Sequence, residues 1–517
     1  MIAASASAQN EPVRPRLVVG IVVEGLEQEQ IDLLRHRFGQ GGFNRMLREG
    51  AIIENADYGS PVDPTAATAM IFTGAAAGIT GVPATETFDR SSLRTVATLT
   101  DPTSIGNFTS QTFSPRNLAV TTIADEAKIA GSGVTYAYAI APDPAQAIIM
   151  AGHAGNSGIW LNDDNASWAT TTYYKDTPTV MTKRNHMQPL RTRMDTMQWT
   201  PLLPADRYVL LPDHLTRYPF RYTYRGADRI GMFKNSPAIN AEITALAIDH
   251  LNALDLGRHP DGSDMLSVAY TLEPYAYSKQ TDNRFEHQDA YFRLDRNLEQ
   301  LFSSIDKSVG LKNSLIFLAA TPPSGRTRRD DEKWQLPFGE FSTRKAISLL
   351  NMYLMAIYGN GDWVQGYHNG EFFLNHQLIQ TRNLDLHKVR TEAATFLKRM
   401  AGVAEAYSID DIMAVEAGRQ AEALRRNTAV NTAGDVRIAV MPGWEIVTDT
   451  PSARTRPNQV TRLGVTTAPV YIMASEVAPQ RLDTPVDIRV VAPTVTRLMR
   501  IRSPNAAAVP PLNLSAK

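Results

Sequence analysis

An α/β fold, with a doubly wound sheet and helices on both faces, is the architecture this sequence predicts. Two observations carry the prediction. Near-continuous apolar runs at 16–23, 265–272 and 315–320 read as strands buried on both faces of a parallel sheet. Between them lie segments with apolar residues three and four apart, the spacing of amphipathic helices. Alternation of the two patterns is the doubly wound signature.

The first strand spans 16–23 and is rich in β-branched residues. A helix follows from about 29 to 48, broken by the glycines at 39–42. Residues 121–129 are helical, Gly131-Ser132-Gly133 is a turn, and 134–140 is a strand. Residues 239–254 form a helix on Ile239, Ile243, Leu246, Ala247 and Leu251. After the strand at 265–272, a helix at 291–305 aligns Leu294, Leu298, Leu301 and Phe302. The strand at 315–320 follows.

Two regions break this rhythm. Residues about 155–235, rich in Thr, Tyr, Arg and Pro, read as a cap-like insertion. Residues about 335–435 read as a mainly helical insertion, with helices at 342–358 and 388–400. A hairpin at 363–374 turns on Asn369-Gly370. The last strands fall at 436–441 and 470–474, and a helix at about 490–499. One domain therefore spans 16–502. Residues 503–517, with Pro504, Pro510 and Pro511, read as a flexible tail. Residues 1–15 read as a signal-peptide remnant or flexible tail, because Ala6-Ser7-Ala8 resembles a secretory cleavage region. This reading places the protein in the periplasm or cell envelope.

Composition excludes several functions. The 517 residues carry 52 basic and 53 acidic side chains, a net charge of −1, which gives no electrostatic support for nucleic-acid binding. No cysteine is present, so disulfides, thiolate metal sites and thiol catalysis are ruled out. No apolar run is long enough to predict a transmembrane segment. None of the ten histidines lies two to four residues from another, so no short metal-type pair exists. Asp249-His250 lies on an amphipathic helix and reads as a solvated helix-end pair.

Several ordered motifs carry a resemblance. They include Phe38 to Gly50, Ile71-Phe72-Thr73-Gly74 with Gly78-Ile79-Thr80-Gly81, Ser114 to Leu118, Ala151-Gly152-His153, Tyr291 to Asp295 and Gly361 to Tyr367. As a set they resemble the alkaline phosphatase superfamily, in its bacterial phosphate-irrepressible (PafA-type) branch close to nucleotide pyrophosphatases. The resemblance implies an alkaline-phosphatase-like sheet, a nucleophilic threonine and two zinc ions about 4 Å apart.

It also identifies the positions that should hold them. Glu24 stands for an aspartate after the first strand, and Glu273 and Tyr277 for an aspartate and a histidine. Thr321 and Pro322 stand for an Asp-His pair, and Asn458 for the last histidine. Gapless counting puts Pro64 at the nucleophile, with Thr65 and Thr68 as substitutes. Thr85 falls near the family's phosphate-contacting asparagine, and its lysine and arginine before His153 are missing. A residual cleft would comprise Glu24, Glu273, His153 and Arg326, the last in a mixed-charge loop.

On this reading the metal site is lost and no cofactor is expected. The alternative is zinc or a single weakly bound divalent cation. The leading expectation is a catalytically inactive protein that binds or scaffolds an unknown protein or envelope partner. The alternative is an active phosphomonoesterase or phosphodiesterase with a relocated nucleophile and an altered metal site.

Overall fold

The computed structural model describes residues 14–259, 262–278, 282–323, 339–414, 419–441, 444–447 and 466–515. The first eight strands of its central sheet, in chain order, are β1 Leu17–Glu24, β2 Ala51–Asp57, β3 Gly106–Asn107, β4 Ala137–Ala141, β5 Ser157–Leu161, β6 Trp168–Thr171, β7 Asp264–Thr271 and β8 Ser314–Thr321. Four strands of the later insertion follow: β9 Val364–His368, β10 Glu371–Leu374, β11 Val403–Ser408 and β12 Val436–Val440. The last three are β13 Thr467–Met473, β14 Gln480–Leu482 and β15 Val486–Asp487.

An 11-stranded mixed sheet runs in the order β14-β2-β13-β8-β1-β7-β4-β5-β6-β3, with β15 on β2. Strand β1 sits at its centre, parallel to β7 on one side and β8 on the other. All eight of its residues are buried, as a strand covered on both faces must be. Gly20 is fixed by packing: a Cβ there would stand 2.8 Å from the Phe317 ring. Its absence lets Phe72 and Phe317 meet at 5.7 Å across β1.

Five helices position the functional region: α1 Pro64–Thr73, α2 Pro144–Ala151, α3 Arg229–Lys234, α4 Ala238–Ala253 and α5 Arg284–Ser308. Helix α1 is apolar or small on every side, and Thr65 to Thr73 are all buried. Asp63 caps it, Pro64 occupies the first turn, and Gly74 ends it in the left-handed region at φ 66°. Helix α5 begins seven residues before the predicted 291, because Phe285, Gln288 and Asp289 pack beneath the cap.

Three predictions need correcting and one gains a sheet. Residues 157–171 are not cap: β5 and β6 extend the central sheet, and the aperiodic region begins after them. The insertion holds more helix than strand, but it also carries a sheet that the sequence reading gave only as a hairpin. Strands β9 to β12 form their own four-stranded sheet, packed with the helices Thr343–Tyr358 and Leu386–Lys398 around a separate core. Strand β12 therefore belongs to the insertion, not to the central sheet. The C-terminal residues to 515 are docked: Leu514 is buried, Leu512 N–H donates to Thr494, and Val477 bridges Ser515. An extended segment packs without the periodicity by which a core element is recognised.

The Asn369-Gly370 turn is as predicted, with φ of 47° and 85°, the two positive values a tight hairpin requires. Residues 1–13, and with them the signal-like segment, lie outside the described residues. No helix among the described residues is long and apolar enough to cross a membrane.

Candidate active site

Strands β1, β7 and β8 end together, and ligands in open α/β sheets sit outside such carboxyl ends. Glu24 closes β1, in register with Thr271 on β7 and Thr321 on β8. Glu24 and Glu273 are buried, 7% and 8% exposed. Gly25, at φ 71°, lets the chain pass the second of them: a Cβ there would stand 3.0 Å from the Glu273 carboxyl carbon. Helix α2 points its N-terminus at the same place, and Gln146 in its first turn donates from Nε2 to Glu24 Oε1 at 3.0 Å. Gln146 Oε1 and Thr321 Oγ1 are buried and have no hydrogen-bond partner among the described residues.

The segment leading into α1 is anchored at this end of the sheet, because Tyr58 donates to Ala320 O at 2.6 Å. Asp63 then caps α1 through Oδ1, which accepts Thr65 N–H at 2.8 Å and Thr85 N–H at 3.1 Å. The same oxygen accepts the Thr85 hydroxyl at 2.9 Å. That hydroxyl has one proton, so in the 2.6 Å contact between Thr65 and Thr85 the donor is Thr65 Oγ1. A directed chain thus runs from Thr65 through Thr85 to the Asp63 carboxylate, at the positive end of a helix.

Asp63 also lines a cleft between α1 and the insertion hairpin, with Phe88, His368, Glu371 and Arg437 on its walls. Pro64, the position found by gapless counting, holds the first helical turn and has no hydroxyl; Thr65 supplies one. Thr68 does not, because its Oγ1 is committed to Pro64 O at 2.8 Å inside the helix.

Lys234, at the end of α3, missed by sequence reasoning, reaches the start of α2. Its ammonium donates to Asp143 and to Asp163 Oδ1, the latter at 2.7 Å. Burial pushes its pKa down, but the two carboxylates outweigh burial and hold it above the ordinary lysine value. Nothing in the local sequence marks Lys234, which is brought to Asp143 by the tertiary fold. Tyr277 donates to Asp228, and burial together with that carboxylate keeps its hydroxyl well above the usual tyrosine range. Pro322 is buried.

Other predicted residues lie elsewhere. His153 does not join the cleft: it follows the far end of α2, where it contacts Asp125 at 3.1 Å and Leu118 O at 2.9 Å. The hydrogen bond to Asp125 holds its pKa above the ordinary imidazole value. His250 is not solvated but fully buried, and burial pushes its pKa down to about 4. Arg326 and Asn458 lie outside the described residues.

The donor set does not fit two zinc ions. Among the described residues no group of three or more His, Cys, Asp or Glu is placed to hold a metal. Tyr277, Thr321 and Pro322 bring no imidazole or carboxylate to the strand ends.

Residues 18–464 match the family described as type I phosphodiesterase / nucleotide pyrophosphatase. The chain is 25% identical over 530 residues to alkaline phosphatase PafA of Elizabethkingia meningoseptica, covering 98% of this chain and 95% of that one. It is 24% identical to alkaline phosphatase PhoV of Synechococcus elongatus, covering 96% and 92%. The crystal structure of wild-type PafA superposes with a TM-score of 0.85 at 24% identity, covering 98% of this chain and all of that one, which fixes the likeness of fold. The expectation of an inactive binding or scaffolding protein is overturned by these near-full-length relatives, which are phosphatases. That expectation rested on the loss of the metal ligands, with Thr65 kept only as a substitute; Thr65 carries its hydroxyl at the helix start.

Proposed function

Because the chain belongs to the type I phosphodiesterase / nucleotide pyrophosphatase family, in the PafA-type branch of the alkaline phosphatase superfamily, we propose that it hydrolyses phosphoric esters with Thr65 as nucleophile. The observation that carries this reading is the Thr65–Thr85–Asp63 chain at the N-terminus of α1.

Thr65 Oγ1 attacks phosphorus and the bond to the leaving oxygen breaks, that oxygen taking a proton from solvent. The Thr65 proton passes to Thr85 Oγ1, and the Thr85 proton passes to Asp63. The carboxylate thus acts as general base through one hydroxyl. Water then attacks the phosphothreonine, the P–O bond to Thr65 breaks as the same relay returns its proton to Oγ1, and the proton of the attacking water is released to solvent with phosphate. The positive end of α1 favours the anionic phosphoryl group. The cleft lined by Phe88, His368 and Arg437 is assigned to the leaving group. No step is routed through zinc, because the donor set does not fit it.

Phosphate release from aryl phosphomonoesters and diesters by purified protein tests the reading. Turnover that Thr65→Ala removes and Thr65→Ser partly keeps supports it. Absence of turnover on every ester, or full activity in Thr65→Ala, refutes it.

A further inference from the structure

We infer that the strand ends bind one hard divalent cation of the Mg²⁺ class, held by Glu24, Glu273, Gln146 and Thr321. The inference deepens the hydrolase reading and rests on it only for the cation's purpose. Two buried acidic side chains alone would not make a site. What points to a ligand is the pair of neutral oxygens beside them. Thr321 Oγ1 is fully buried, in register with Glu24 on the adjoining strand, and has no hydrogen-bond partner among the described residues. Gln146 Oε1 is in the same condition, and its own Nε2 bond to Glu24 at 3.0 Å holds the amide beside that carboxyl group.

A buried polar oxygen without a partner has lost its water and gained nothing in exchange. One such atom belongs to the amide bonded to Glu24 and the other to the residue paired with Glu24 on the adjoining strand, where a bound cation would satisfy both. The side-chain chemistry also selects the ion. All four donors are oxygen, two carboxyl, one amide carbonyl and one hydroxyl, which is the set that suits Mg²⁺ or Ca²⁺ with water completing the shell. Zinc prefers imidazole or thiolate in a tetrahedron, and neither is supplied here. The replacement of histidine and aspartate by Tyr277 and Thr321 thus reads as a change of metal class and number. Gln146 adds a donor that the sequence reading did not single out. Two carboxyl groups supply the charge a divalent ion needs, and the close approach of Gly25 to Glu273 keeps them near each other.

The test titrates the full chain, stripped by chelator and desalted, with Mn²⁺, and reads the free ion by electron paramagnetic resonance. One Mn²⁺ per chain, displaced by excess Mg²⁺, is the expected result. Affinity should fall at least tenfold in Glu24→Gln and severalfold in Thr321→Val. The second change is nearly isosteric and keeps the strand, so a lost site is not confused with a lost fold.

No saturable Mn²⁺ binding, equal affinity in both variants, or two zinc ions per chain by mass spectrometry would overturn the inference. The hydrolase reading fails separately. Phosphate release by stripped protein that binds no Mn²⁺ sinks the cation site alone. Saturable Mn²⁺ binding by protein that hydrolyses no ester supports the site and sinks the hydrolase.

Discussion

Two buried acidic centres of this molecule differ in how completely they are satisfied. Asp435, in the insertion, is fully buried, and both oxygens are occupied. Oδ1 meets His376 at 2.7 Å and Arg390 at 2.8 Å; Oδ2 meets Arg90 at 2.8 Å and Leu374 N–H at 2.7 Å. Burial pushes its pKa up, but His376 and Arg90 outweigh burial and hold it well below the usual carboxylate range. Glu24, at the strand ends, has beside it two buried oxygens with no partner among the described residues. The first centre is complete within the chain and ties the insertion to Arg90 of the main domain. The second leaves hydrogen-bonding capacity for something that is not protein. A buried carboxylate is therefore not a functional signal in itself; incomplete satisfaction around it is.

The largest effect expected is at Asp435. Asp435→Asn should cost about 3–5 kcal/mol, because Arg90 and Arg390 lose a fully buried partner; urea unfolding measures it. Equal stability of that variant and the wild type would break the contrast.

Acid sensitivity comes from a third buried group. His250 is neutral when folded, with a pKa pushed down to about 4 by burial, against 6.5 for an ordinary imidazole. Between those values the unfolded chain binds more protons than the folded one. Stability is full above 6.5 and falls as pH drops toward 4, by up to about 3 kcal/mol. His250→Leu should flatten the pH dependence of urea midpoints over that window. Asp435, with its pKa held low, should contribute evenly there.

Thr65→Ala should lower phosphate release by at least about a hundredfold while leaving unfolding nearly unchanged. Thr68→Ala, which only removes a hydroxyl bonded back to its own helix, should leave kcat within about threefold. Smallest is the stability change in Glu24→Gln: under about 1 kcal/mol, or a gain, since functional carboxyl groups are commonly stability-neutral or costly. A loss as large as that of Asp435→Asn would make Glu24 a structural residue like the first.

Much of the fold was readable from the residues, and the reasons are local. Strands β1, β7 and β8 are buried on both faces, so burial is written as unbroken apolar runs. Asn369-Gly370 specifies its turn by backbone chemistry alone. Strand β12 was misplaced because its residues Val436 to Val440 suit any sheet, and only tertiary pairing with β10 and β11 assigns it. Strands β5 and β6 were lost among polar residues such as Ser157, Thr170 and Thr171, which are buried by bonding to each other and to Phe113 O.

At the site, Glu24 and Thr321 end their strands and Glu273 follows its strand by two residues, positions that the apolar runs mark. Asp63 and Pro64 open α1 by a capping side chain and a first-turn proline, yet the Thr65–Thr85 contact spans twenty residues and has no sequence signature. Gln146 and Lys234 are set by side-chain reach across elements, which spacing does not encode.

The most direct measurement is acid quenching of the protein during turnover of an aryl phosphate, followed by peptide mapping for a phosphoryl adduct. The account predicts phosphothreonine at Thr65, absent in Thr65→Ala. Turnover with Thr65 unmodified at every quench time, in protein whose phosphate release survives Thr65→Ala, would contradict it.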